Sequence, residues 1–203
     1  MAKLSNNYHN DFCPQTLFLY GTKKDDGTPN FGLFCWFSYI HTKAEGGPHL
    51  GVMACIGEDK LTKDLIRKNG VFSANLVTEE LLPLADYYGT TYGRTAKDKM
   101  KLMPTVEQGK VLDVPTIAES PVNYELRVQK EIHLAENSDL FVCEICNVSV
   151  EESLLDKSVP FIDRLKKAAP VLTCGETTYE SIDGNYLGKW GEPRKRMTDK
   201  QQD

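Results

Sequence analysis

The chain has 203 residues, of which 40% are hydrophobic and 26% charged, and its net charge is −5. These figures fall in the globular range and exclude whole-chain disorder, and the acidic balance argues against nucleic-acid binding through a broad basic face. Folding a chain of this size buries roughly 70% of the surface exposed when unfolded, enough for a core without staples. Residues 1–203 are read as one domain with loose tails at about 1–12 and 192–203.

Apolar runs reach about ten residues, the best being 31–40, against the ~20 that a membrane-spanning helix needs. Residues 1–10 are polar and carry no signal-peptide core, so the expected location is cytoplasmic. There the six cysteines, Cys13, Cys35, Cys55, Cys143, Cys146 and Cys174, are reduced.

In chain order, residues 15–20 read as a short strand and Asp26-Gly27 as a hairpin signal. An aromatic strand follows over 30–40, then a loop over 42–48 containing Gly46-Gly47-Pro48. A small-residue strand over 50–56 ends at Gly57. Leu61, Leu65 and Ile66 mark a short amphipathic helix over 60–69, with Gly70 as its terminating glycine.

Residues 71–77 read as a strand, and Thr78 as the N-cap of a helix holding Leu81 to Ala85, with Pro83 in its first turn. Residues 89–103 read as loop with a helical piece over 96–102. Long β-type runs cover 121–134 and 140–150, joined through 135–139. A short helix over 161–169 and a last strand over 171–174 complete the pattern. Strands that follow one another directly predict antiparallel pairing, here a barrel with a few covering helices.

Phosphate-loop, dinucleotide, zincin and nucleophile-elbow motifs are absent, so no catalytic side chain is assigned. His9, His41, His49 and His133 have no partner at metal-ligand spacing. Cys143 and Cys146 have C-x-x-C spacing, but on a strand residues three apart point to opposite faces, which predicts buried thiols rather than a metal or redox pair. No metal is expected. An aromatic strand beside a small-residue strand makes either a flat apolar slot or plain core. Lys60 and Thr62 at the helix start suit an anion, or are simply solvated and capping.

Several ordered stretches decide more. They are Thr28-Pro29-Asn30-Phe31 leading to Cys35-Trp36-Phe37-Ser38, then Lys60-Leu61-Thr62-Lys63-Asp64, then Phe72-Ser73-Ala74-Asn75-Leu76. Asp86-Tyr87-Tyr88-Gly89 through Gly93-Arg94 to Asp98-Lys99 follows, with Ser120-Pro121-Val122, Phe141-Val142-Cys143-Glu144 and Tyr186-Leu187-Gly188 after it. In this order and spacing the chain resembles the flavin reductase-like family with an FMN-binding split barrel, closest to its flavoredoxin-type branch.

The resemblance implies a mainly β fold with flanking helices, an antiparallel Greek-key split β-barrel, and a homodimer with FMN near the subunit interface. It implies that Asn30 and Trp36 lie against the flavin and that Cys35, Trp36, Phe37 and Ser38 offer backbone groups to its ring. Ala54, Cys55 and Ile56 belong to the same cofactor-binding set. Thr62 is implied at the phosphate, with Lys99, and less strongly Lys60, as the neutralising charge. Ser138 stands where the family often has histidine, and Tyr92 where the branch usually has serine. The implied activity is hydride transfer from NADH or NADPH to FMN, with free flavin or a redox protein as acceptor. The alternatives are a flavoredoxin-type electron carrier and a flavin-binding barrel without turnover.

Overall fold

The computed structural model describes residues 12–44, 47–96, 99–173, 178–182 and 184. Its strands are β1 (Gln15–Thr16), β2 (Phe18–Lys23), β3 (Pro29–Phe34), β4 (Phe37–Ala44), β5 (Gly47–Gly57), β6 (Val71–Leu76), β7 (Val106–Gln108), β8 (Pro115–Ile117), β9 (Val122–Ala135), β10 (Ser138–Val150), β11 (Leu172–Thr173) and β12 (Tyr179–Glu180). The helices are α1 (Leu61–Asn69), α2 (Leu82–Thr90) and α3 (Phe161–Ala168), with short 3-10 turns at Lys99–Lys101 and Glu152–Leu154. The segments Met1–Asn10, Asp98, Cys174, Tyr186–Gly188 and the charged tail, all used above, lie outside the described residues.

The main sheet has seven strands in the order β3-β2-β6-β9-β10-β5-β4, every neighbouring pair antiparallel. Stepping across those pairs reverses direction an even number of times, so β3 and β4 run the same way. Only Cys35 and Trp36 separate them. They are therefore two halves of one bent strand, the first pairing with β2 and the second with β5. This shared strand brings the ends of the sheet together and makes it a barrel. It also leaves one edge of each half without a ladder, which is the split. The return from β5 through α1 to β6 skips β9 and β10, as in a Greek key.

The expected single strand over 30–40 is thus broken at its middle. Phe37 N–H turns back to the Cys35 carbonyl at 2.9 Å, and Cys55 N–H donates to the Trp36 carbonyl at 3.0 Å. Of the expected loop over 42–48, residues 42–44 and 47–48 are instead strand. β4 and β5 stay paired from Phe37↔Ala54 to Ala44↔Gly47. Pro48 is tolerated because β10 pairs with β5 only from Gly51 onward, so Pro48 has one ladder partner, not two. The first apolar run also splits. The Leu17 backbone pairs with Val171 and Val77, and β1 joins β11 and β12 in a separate small sheet.

Local signals hold elsewhere. Gly27 has φ +80° in the β2–β3 turn, and its N–H donates to Lys24 O at 3.0 Å. Gly70 ends α1 in the left-handed region at φ +69°, its N–H donating to Ile66 O at 2.9 Å. Thr78 Oγ1 accepts from Leu81 N at 3.3 Å, capping the turn that leads into α2 rather than the helix itself. β9 and β10 form a longer hairpin than expected, paired up to Ala135↔Ser138.

Two cores result. Tyr20, Phe72, Leu126 and Phe141 fill the barrel interior, while Leu19, Phe31, Ala85 and Tyr88 pack between β2, β3 and α2. β2 faces both, which is why it is buried continuously from Phe18 to Thr22 rather than at alternate residues.

Candidate functional site

The free edge of β3 borders a groove whose opposite wall is the start of α1 and the segment after α2. Its polar end is lined by Asn30, Gly32, Thr62, Tyr88 and Lys99. Asn30, Thr62 and Lys99 are 2%, 4% and 7% exposed. Asn30 Nδ2 donates to Thr62 Oγ1 at 2.9 Å, occupying a lone pair and leaving the threonine proton free to donate. A Cβ on Gly32 would stand 2.7 Å from Thr62 Oγ1, so only glycine lets β3 pass this close to α1.

α1 begins after Lys60 with no side-chain cap, and Lys60, Leu61 and Thr62 line the same end of the groove, which puts the uncapped first turn beside it. Uncapped amides and their aligned dipoles suit an anion.

The nearby cations differ in commitment. Lys60 Nζ pairs with Glu58 at 2.8 Å. Arg94 pairs with Asp59 at 2.6 Å and also with Asp64. Lys63 is locked to Asp139 at 2.9 Å, both side chains 6% exposed. Lys99 donates to the Tyr88 carbonyl at 2.9 Å and lies over the Tyr88 ring, but among the described residues no carboxylate pairs with it. Burial, reinforced by the charge of Lys60, pulls its pKa down to about 8. A buried ammonium with no counter-charge is a costly arrangement that an incoming anion relieves.

The other end is apolar. Leu33, Phe34, Cys35, Trp36, Cys55 and Gly57 line a shallow cleft of ≈ 230 Å³, contiguous with the polar end through Leu33, Phe34 and Lys60. Phe34 is stacked on Tyr20 at 4.6 Å, and Trp36 is 48% exposed with its ring near Gly57. Burial raises the Cys35 thiol pKa, so it lines the slot as a neutral group. Ser138 Oγ lies 3.7 Å from Cys55 Sγ at the far side.

The structure therefore brings Asn30, Lys60, Thr62 and Lys99 to one end and Cys35, Trp36, Cys55 and Ser138 to the other. It does not bring the side chains of Phe37, Ala54, Ile56 or Ser38 into the groove. Phe37 and Ala54 are cross-strand partners, so they share a face. That face is the barrel interior, where Phe37 packs 4.4 Å from Phe18 and both Ala54 and Ile56 are fully buried. Ser38 alternates to the exposed outer face. For these four, only backbone groups remain as contacts.

Tyr88, Tyr92 and Arg94 line the polar end without having been among the candidates. Tyr88 and Arg94 fall in the stretches that carry the resemblance and Tyr92 stands where the branch has serine, but neither spacing nor resemblance assigns them to the site. The C-x-x-C pair is not a site. Cys143 is fully buried with its thiol pushed up to about 12 by desolvation, and Cys146 falls at a bulge of β10. Among the described residues no cluster of His, Cys, Asp and Glu could hold a metal, and no helix is long and apolar enough to cross a membrane.

A family model described as flavin reductase like domain matches residues 10–171. A flavoredoxin from Methanosarcina acetivorans superposes with a TM-score of 0.76 at 25% identity, over 97% of this chain and 98% of that one. The flavoredoxin of Desulfovibrio vulgaris (Miyazaki F) gives 0.76 at 25%, over 94% and 98%. A putative flavin reductase with split barrel domain from Shewanella frigidimarina gives 0.74 at 19%, over 90% and 89%, and supports the fold. An uncharacterized protein of Archaeoglobus fulgidus is 36% identical over 107 residues, 53% of this chain and 59% of that protein's length. The aligned region thus spans under two thirds of that relative's length.

Proposed function

Because this chain belongs to the flavin reductase-like domain family, we propose that it is an FMN-dependent oxidoreductase taking hydride from NADH or NADPH. The observation that carries the reading is Lys99, a buried cation without a counter-charge at one end of a groove whose other end is an apolar slot. A flat ring ending in a phosphate suits both ends. The residues present fit FMN: Thr62, Lys99 and the open amides of α1 for the phosphate, and Phe34, Cys35, Trp36 and Cys55 for the ring.

FMN supplies the hydride-accepting centre when bound, so no protein nucleophile is required. The protein's part is to orient the ring with backbone donors of the 35–38 stretch, to hold the phosphate charge, and to leave one ring face reachable. Ser138 offers a hydrogen bond at the ring end but no charge. We read the chain as a single domain and as one half of a homodimer. Trp36, Tyr39 and Leu50, each about half exposed, are the apolar residues that favour pairing.

The likeness to two flavoredoxins over nearly their whole length favours a second reading, an electron carrier that passes electrons between protein partners. An anaerobic visible spectrum of the FMN-loaded protein separates the two. Bleaching within seconds of adding NADH or NADPH supports the reductase and identifies the donor. A bound flavin that only dithionite bleaches supports the carrier. A protein that binds no flavin sinks both.

A further inference from the structure

The segment Tyr92-Gly93-Arg94 crosses from the end of α2 to the start of α1 and touches it at three independent points. Arg94 Nη2 donates to Asp59 Oδ1 at 2.6 Å and also to an oxygen of Asp64. Lys60 Nζ sits 4.7 Å from the centroid of the Tyr92 ring. Between them the Gly93 backbone lies on the groove itself: a Cβ there would stand 3.4 Å from Leu61 Cδ2 and 3.7 Å from Asn30 Oδ1. A turn holds the segment in shape, with Ala96 N donating to Tyr92 O at 2.9 Å.

The polar end beneath has a free volume of only ≈ 30 Å³. A phosphomonoester on a polyol tail does not pass a closed segment into it. The contacts that close it are of the weak, reversible kind. Arg94 is 39% exposed and Asp59 68% exposed, and solvent-exposed ion pairs of this sort open readily.

We propose that Tyr92-Gly93-Arg94 is a strap that must lift for the flavin phosphate to pass and that re-forms over it, so the flavin is a resident group that exchanges slowly. This rests on the flavin reading above. The strap is a kinetic barrier common to entry and exit, which separates it from a phosphate ligand. Removing a barrier speeds both directions and leaves affinity nearly unchanged. Removing a ligand speeds only departure and weakens affinity in proportion.

Stopped-flow flavin fluorescence tests this with FMN alone, using association from mixing and dissociation from rapid dilution of the loaded protein. Arg94→Gln is expected to raise both rates by about tenfold with a nearly constant Kd, and high salt should bring the wild type toward the variant. Tyr92→Ser, which removes the ring under Lys60, should act in the same direction. Both positions are exposed, so the fold is not at risk. A faster dissociation with unchanged association makes Arg94 a phosphate ligand and overturns the strap. Unchanged rates in both variants overturn it while the flavin reading stands. Absence of FMN binding by the wild type overturns that reading, and the strap with it.

Discussion

Two buried charges in this molecule are treated in opposite ways. Glu125, 1% exposed on β9, accepts hydrogen bonds from the backbone of Lys110, Val111 and Leu112 and from Asn147. Burial works against its charge, but those donors more than offset it and the carboxyl pKa is lowered. Lys99, 7% exposed beside α2, has one carbonyl and no carboxylate among the described residues, and its pKa falls. The satisfied charge folds a loop, while the under-satisfied one waits for an anion. Burial alone therefore does not mark a site. What marks it is burial with an unmet electrostatic demand.

The contrast is sharpest if each charge is removed. Glu125→Leu strands three backbone N–H groups and is expected to cost about 3–5 kcal/mol in urea unfolding. Lys63→Met leaves Asp139 buried without its main partner and should cost about 3 kcal/mol. It should also change the acid limb of stability. Hydrogen bonds from Lys63 and then His133 hold Asp139 down to about 2. Its contribution is therefore present above the ordinary carboxylate range and lost as pH falls through about 2. In the variant the slope of unfolding free energy between pH 4 and 2 should flatten.

Lys99→Met is expected to behave in the opposite sense. Stability of the apoprotein should hold or rise by about 1 kcal/mol, while FMN affinity falls by about tenfold or more in a fluorescence titration. A loss of stability with unchanged affinity would make Lys99 another structural charge and erase the comparison. pH offers a gentler test. Lys99 with a pKa of about 8 loses its proton above that value, whereas the unfolded chain keeps it to about 10.5. Apoprotein stability should therefore rise from pH 8 to 10.5. FMN affinity should fall over the same range, and riboflavin affinity, with no phosphate, should not. The smallest effect is Thr62→Ala, about 1 kcal/mol of FMN binding from one lost hydrogen bond.

How much of this was readable in the sequence depends on how local the cause is. The helix over 60–69 with Gly70 at its end and the long β9–β10 runs follow from spacing and a glycine in the left-handed region. The bend at Cys35-Trp36 was not readable, because no glycine or proline interrupts the apolar run there. It is imposed by pairing with two different strands. β7 and β8 were missed for a related reason. They are three residues each, and the Gly109–Leu112 loop beside them is held by Glu125, a residue far along the chain. Within the site, Asn30, Thr62, Trp36 and Lys99 came from the order of motifs. The inward turn of Phe37 and Ala54 needed the strand register, and the Arg94 contacts needed the position of the segment after α2.

The bent strand also has a consequence for the order of folding. β2–β3, β4–β5 and β9–β10 are local hairpins with inexpensive loops. Because β3 and β4 are one strand, the first two hairpins are welded and move as a unit. β6 extends that unit on one side and β9 then joins β6. Closure of the barrel falls to the pairing of longest range in the main sheet, β10 reaching β5, between segments roughly 90 residues apart. The groove does not exist as a continuous surface until that event fixes the two hairpins around the bend at Cys35-Trp36, so the cofactor site is a late product of folding, not a seed for it.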